Sequence, residues 1–152
     1  MAVCKRPKQK SEPKSREPVQ VEDPNKFYKD YPSWNFKLID TEAWAFTESC
    51  VGDIFWGEIL PRLQALETQT WSEIFVRDKK LNHSEPINTL NKVAQDRLIE
   101  RHIEIDAIHS LRVTGTHRIY GYITNSVFNI LWYDTDHGDN PDCVCRSHLK
   151  HT

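Results

Sequence analysis

The sequence predicts an α+β domain, with helices from the middle of the chain packed on a small antiparallel sheet. Three observations predict it. Residues 105–133 hold three β-patterned runs joined by two tight turns, the pattern of a meander. Residues 49–68 and 88–101 carry apolar side chains at helical spacing. The last β run, VFNILWY, is nearly continuous apolar, as for a central strand buried on both faces.

The totals set the limits. A chain of 152 residues suits one domain with a modest core, 27–152, preceded by a polar tail, 1–26. No stretch approaches the ~20 apolar residues that span a bilayer, and MAVCKRPKQK lacks the apolar core of a signal peptide. A cytoplasmic protein with no membrane partner is therefore expected. Cys4, Cys50, Cys143 and Cys145 lack the spacing of a disulfide-stapled secreted domain. The net charge of −2 hides an asymmetry, since Lys5, Arg6, Lys8, Lys10, Lys14 and Arg16 make the first 18 residues basic and leave the rest acidic. A body that acidic is not built for tight nonspecific binding to a phosphate backbone, although a local basic site is compatible with it.

The elements follow in order. Residues 1–26 are too polar to offset the entropy of ordering and are expected to be disordered, either as a basic arm or as a solubilising tail. Residues 27–48 are thick with aromatics, and Trp34, Phe36 and Leu38 alternate as a short extended piece after Pro32. These aromatics either pin the segment to the core or form a base-stacking platform. Pro61 either kinks the 49–68 helix or splits it into two short helices, with itself in the first turn of the second. Thr70-Trp71-Ser72-Glu73 is a capping box that opens a short helix through about Val76. Residues 77–85 read as a solvated charged loop. Leu90, Val93, Ala94 and Leu98 form one face of the 88–101 helix, capped by Asn88 or Thr89. The helices upstream are expected to cover one face of the sheet. In the meander, Gly115 and Asn125-Ser126 mark the turns.

Three places can carry chemistry. Arg112 and Arg118 flank the Gly115 turn and approach one another on antiparallel strands. Two guanidiniums there grip a phosphate or carboxylate, unless they pair with helix carboxylates. Asp134-Thr135-Asp136-His137 ends the last strand, so His137 is a candidate acid/base oriented by Asp134 or Asp136, or else part of a plain turn. Cys143, Cys145, His148 and His151 are potential zinc ligands, but C-x-C and H-x-x-H are too tight for one ion to be wrapped by all four. No metal and no cofactor is expected.

Two resemblances add to this reading. Trp34 with Asp40, the box at 70–74, Ala94-Gln95-x-Arg97-Leu98, Ser110-Leu111-Arg112, Arg118-Ile119-Tyr120-Gly121 and Leu131-Trp132-Tyr133-Asp134 with His137 resemble a group of small uncharacterised bacterial proteins over roughly residues 32–152. That likeness implies no activity. The order helix, Leu-Arg-x-x-Gly, Arg-hydrophobic-Tyr, hydrophobic strand, Asp/His resembles the RelE/ParE superfamily of toxin–antitoxin toxins over about residues 86–140. This second resemblance implies a RelE-like fold and a metal-independent mRNA endoribonuclease, with mRNA on the ribosome as target and a cognate antitoxin as partner. It makes Arg112 and Arg118 phosphate-stabilising, His137 the acid/base, and Tyr120 or Lys150 a supporting group. The alternatives are a non-catalytic interaction module using the aromatic segment and acidic surface, and a small zinc-binding protein using the C-terminal Cys/His residues.

Overall fold

The structure is a computed structural model and describes residues 26–137 and 142–145. The tail expected over 1–26 thus lies outside the described residues, apart from Lys26. Among the described residues, Ser33–Asn35 (β1), His83–Pro86 (β2), Ala107–Thr114 (β3), His117–Thr124 (β4) and Val127–Asp134 (β5) form one sheet in the order β1-β5-β4-β3-β2. The expected meander is its β3-β4-β5 core. Both hairpins turn where the sequence places them: Gly115 has φ +50°, and Asn125 and Ser126 have φ 51° and 71°. Two consecutive left-handed residues match the twist that a two-residue hairpin needs.

The sheet is wider than the meander by a strand on each side. The extended piece after Pro32 becomes β1, paired parallel to β5 from Ser33 opposite Val127 to Asn35 opposite Asn129. On the other edge, the expected charged loop 77–85 gives way to β2, antiparallel to β3. Asn82 secures that edge. It is buried, its amide donates to the Ile74 carbonyl (3.1 Å), and its side-chain oxygen accepts from the Arg112 N–H (3.0 Å). A polar run four residues long carries no periodicity that reveals such a strand.

Helices cover both faces of the sheet, which corrects the one-face expectation. On one face, Leu111, Ile119, Phe128, Ile130 and Tyr133 pack with Val51, Ile59, Leu63, Leu66, Trp71 and Ile74. These come from Glu48–Ile54 (α1), a π-helical turn Phe55–Ile59, Leu60–Leu66 (α2) and helical turns ending at Arg77. On the other face, Ile108, Tyr120, Leu131 and Trp132 pack with Leu90, Ala94 and Leu98 at the helix Lys92–Glu100 (α3). Apolar spacing finds a helix but not the sheet face it covers.

Local signals explain most helix ends. Pro61 lies in the first turn of α2, where its missing N–H has no intrahelical partner to lose. The break before it falls at Gly52, with φ 41° and ψ −130°. The capping box forms in both directions: the Thr70 N–H donates to Glu73 Oε1 (2.9 Å) and the Glu73 N–H to Thr70 Oγ1 (3.2 Å). For α3 the cap is Asn91, whose Oδ1 accepts from the Val93 N–H at 2.8 Å, because Ile87–Thr89 form a separate 3₁₀ turn. Val93, expected on the apolar face, is exposed. Phe27, Tyr28 and Trp34 pack against the core, which favours pinning over a base-stacking platform.

Two features set up the site. The first is a bulge in β5: Tyr120 faces Trp132 but Gly121 faces Ile130, so Leu131 is the extra residue. It reverses the alternation and turns Trp132 and Asp134 onto the face that holds Arg118 and Tyr120. Gly121 permits the close approach, since a Cβ there would lie 2.2 Å from the Asn129 carbonyl oxygen. The second is buried Asp40. It accepts hydrogen bonds from Arg97 Nε (2.8 Å) and Nη2 (2.9 Å), Trp132 Nε1 (2.9 Å) and the Glu42 (2.9 Å) and Ala43 (3.1 Å) amides. This carboxylate ties α3 to β5 beneath the loop that follows β1.

Candidate active site

The candidates converge on the α3 face of the sheet. Strand register sets Arg112 opposite Arg118, and Arg118 opposite Asp134. The neighbouring row runs His83, Ser110, Tyr120, Trp132 across β2, β3, β4 and β5. Directly opposed residues on antiparallel strands share a face, so both rows present their side chains together.

Arg118 is half-buried. Its Nη1 donates to the carbonyls of Gly115 (2.7 Å) and His117 (3.1 Å), while its Nε is buried without an acceptor. Burial, then nearby Arg112, weakens its hold on its proton. Arg62 Nε donates to the Arg112 carbonyl (2.9 Å), and Arg62 and Arg112 line a pocket of about 270 Å³ with Leu81, Val113 and Thr114. None of these three arginines forms an ion pair with a described carboxylate. The expected helix partners are engaged elsewhere: Glu73 and Asp78 hold Arg77, Asp96 holds Lys92, and Asp40, Glu42 and Glu100 surround Arg97.

His137 joins this face through the turn. Its N–H donates to the Thr116 carbonyl (3.0 Å), and Thr116 Oγ1 donates to the Thr135 carbonyl (2.6 Å), so the chain leaving β5 is pinned to the β3–β4 hairpin. The His137 ring meets the Tyr120 hydroxyl at Nδ1, 3.0 Å away. Tyr120 is fully buried, and burial, with Cys145, Glu85 and Asp134 acting in the same direction, pushes its phenol well up. The phenol therefore stays neutral and donates to Nδ1, which assigns the proton of the neutral imidazole to Nε2.

Among the described residues, the expected orienters of His137, Asp134 and Asp136, make no hydrogen bond to the ring, and Asp134 reaches it only as a nearby charge. Asp134 is buried and spends its oxygens on the Asp136 amide (2.9 Å) and the Val144 amide (2.8 Å). Burial, outweighing these hydrogen bonds, pushes its carboxyl up. Residues 142–145 wall this end of the face: the Asn91 N–H donates to the Val144 carbonyl (2.9 Å), and Cys145 bridges Leu90. The Cys143 and Cys145 sulfurs lie 3.7 Å apart. Lys150, His148 and His151 lie outside the described residues. Among the described residues, no group of three His, Cys, Asp or Glu is placed to hold a metal ion.

Two residues on this face escape sequence reasoning. His83 arrives on β2, and burial, then His137 and Arg118, lowers its proton affinity. Ser110 is fully buried, and its Oγ has no hydrogen-bond partner. Only the pairing of β2 with β3 joins His83 to the site, and that pairing has no local signal.

Chemically, the face offers two guanidiniums with no described carboxylate in ion-pair contact, an imidazole fixed by a neutral phenol, and a second imidazole whose proton affinity is lowered. No described helix is long and apolar enough to cross a membrane. Compared with known proteins, the chain matches no family model, no curated protein and no solved structure.

Proposed function

We propose that this protein is a RelE-like toxin that cleaves mRNA without a metal ion, and that the α3 face of the sheet is its active site. One observation carries the reading. Arg112 and Arg118 stand opposite one another without ion pairs to the described carboxylates, beside the Tyr120–His137 hydrogen bond. An acidic body leaves arginines unpaired at a cost, and an incoming phosphodiester relieves it. The Nε edge of Arg118 is the edge that grips a phosphate in a fork, and it is the edge without an acceptor. His137 supplies proton transfer, and Tyr120 positions it. Lys150 retains the supporting role that the resemblance gives it. A plain turn at 134–137 leaves the Tyr120–His137 contact without a purpose. The cellular context of this reading is the cytoplasm, with mRNA on the ribosome as substrate and a cognate antitoxin as partner.

The test is tightly induced expression in a bacterium, with growth and new mRNA 5′ ends followed together. The wild type should arrest growth and generate discrete ends. Arg118→Ala and His137→Ala should remain folded and lose both effects. Arrest as strong as wild type in both variants would reject the site assignment. Normal growth with intact mRNA, despite folded wild-type protein, would favour the non-catalytic interaction module.

A further inference from the structure

We propose that His83 is the general base of this RNA cleavage, facing His137 as the general acid across the Ser110–Tyr120 row. The inference rests on the nuclease reading and adds a catalytic residue that the resemblance does not supply. Its basis is placement. His83 pairs with Ser110, and Ser110 pairs with Tyr120, so two strand spacings of about 5 Å each separate the His83 and Tyr120 backbones. His137 is mounted on the Tyr120 hydroxyl. The two imidazoles thus lie on either side of the Ser110–Tyr120 pair, with Arg112 and Arg118 in the next row.

The polar groups of the face agree with this. Ser110 Oγ and Arg118 Nε, both buried and without partners, are the hydrogen-bonding capacity that a bound phosphodiester uses. The charged and titratable groups around His83 are Glu85 on its own strand, Arg112 on β3, Arg118 and Tyr120 on β4, Asp134 at the end of β5, and His137. Burial and the positive charges of His137 and Arg118 keep His83 neutral, the form a base requires. His137 acts as the imidazolium, with Nδ1–H donating to the Tyr120 hydroxyl oxygen and Nε2–H given to the leaving group.

The step balances without a co-reactant. The ribose 2′-hydroxyl gives its proton to the His83 imidazole, and the 2′-oxygen forms a bond to phosphorus. The P–O5′ bond breaks, and the 5′-oxygen takes a proton from His137. The products are a 2′,3′-cyclic phosphate and a 5′-hydroxyl end, and the guanidiniums of Arg112 and Arg118 stabilise the charge on the phosphorane.

The experiment measures cleavage of RNA, free and ribosome-bound, by the full chain over a range of pH, for wild type and His83→Gln. General-base removal should cost about 100-fold or more in rate and abolish the acidic limb of the pH–rate profile, with the alkaline limb kept. Should His83→Gln fail to fold, proton NMR of the wild type replaces it, where a 2′-deoxy dinucleotide should shift the ring resonances of His83 and His137 together. A variant within threefold of wild type that retains the acidic limb, or a His83 resonance indifferent to the dinucleotide while wild type cleaves RNA, overturns the base and leaves the nuclease reading standing. Wild-type protein inert on both RNA forms overturns the reading and the base together.

Discussion

Asp40→Asn probes the network that fixes the frame of the site. The substitution preserves size but replaces a carboxylate that accepts five hydrogen bonds, two of them from Arg97 and one from Trp132. The new amide turns an N–H group toward donors, and Arg97 keeps its charge in a largely buried place. Breaking one partner of a buried ion pair costs ~3–5 kcal/mol. At roughly 2–4 °C per kcal/mol for a chain of this size, the thermal midpoint should fall by about 6–20 °C. Acid unfolding supplies a second reading. Burial pushes the Asp40 carboxyl up, but Arg97, the Glu42 and Ala43 amides and Trp132 more than reverse this and hold it well below 3.8. The folded-state group is thus depressed. Its contribution is present in full above pH 3.8 and is lost as pH falls below that value, at up to ~1.4 kcal/mol per pH unit. Urea unfolding followed by tryptophan fluorescence between pH 2 and 7 measures both effects. A loss under ~1 kcal/mol at pH 7, or an unchanged slope below pH 3.8, would refute the reasoning.

Two further predictions fall at other residues. His109 lies against the Phe27 and Phe75 rings, and burial lowers its proton affinity to a value of about 4. Its folded value is depressed, so stability should fall by up to ~3 kcal/mol as pH drops from 6.5 to 4, and His109→Phe should flatten that interval. A wild-type profile flat over that interval would contradict the buried neutral imidazole. Tyr120→Phe removes one hydrogen bond and should cost ~1 kcal/mol of stability, yet reduce RNA cleavage about tenfold or more by freeing the His137 ring. Unchanged cleavage would remove Tyr120 from its positioning role.

The meander was legible because its determinants are local. Alternation sets the faces, Gly115 and Asn125-Ser126 set the turns, and together they make Arg112 and Arg118 cross-strand neighbours. The edge strands were not legible in full. β1 announced itself by alternation after Pro32, but its parallel partner is 94 residues away, and the His83–Pro86 run is polar and short. The run VFNILWY hid its own bulge, because a stretch apolar on both faces carries no parity to lose at Leu131. That bulge decides which way Asp134 points, so the expected Asp–His pairing gave way to Tyr120–His137. Asp40, Arg97 and Trp132, far apart in the sequence, meet in one buried network that holds the structure together.

The chemistry of the RNA ends tests the central claim most directly. Messenger RNA from cells expressing the wild-type chain, sequenced by methods selective for 5′-hydroxyl or for 5′-phosphate, distinguishes imidazole-driven transphosphorylation from metal-assisted hydrolysis. The account predicts new 5′-hydroxyl ends matched by 2′,3′-cyclic phosphates, absent in Arg118→Ala and His137→Ala. New 5′-phosphate ends, or no new ends with folded protein present, would contradict it.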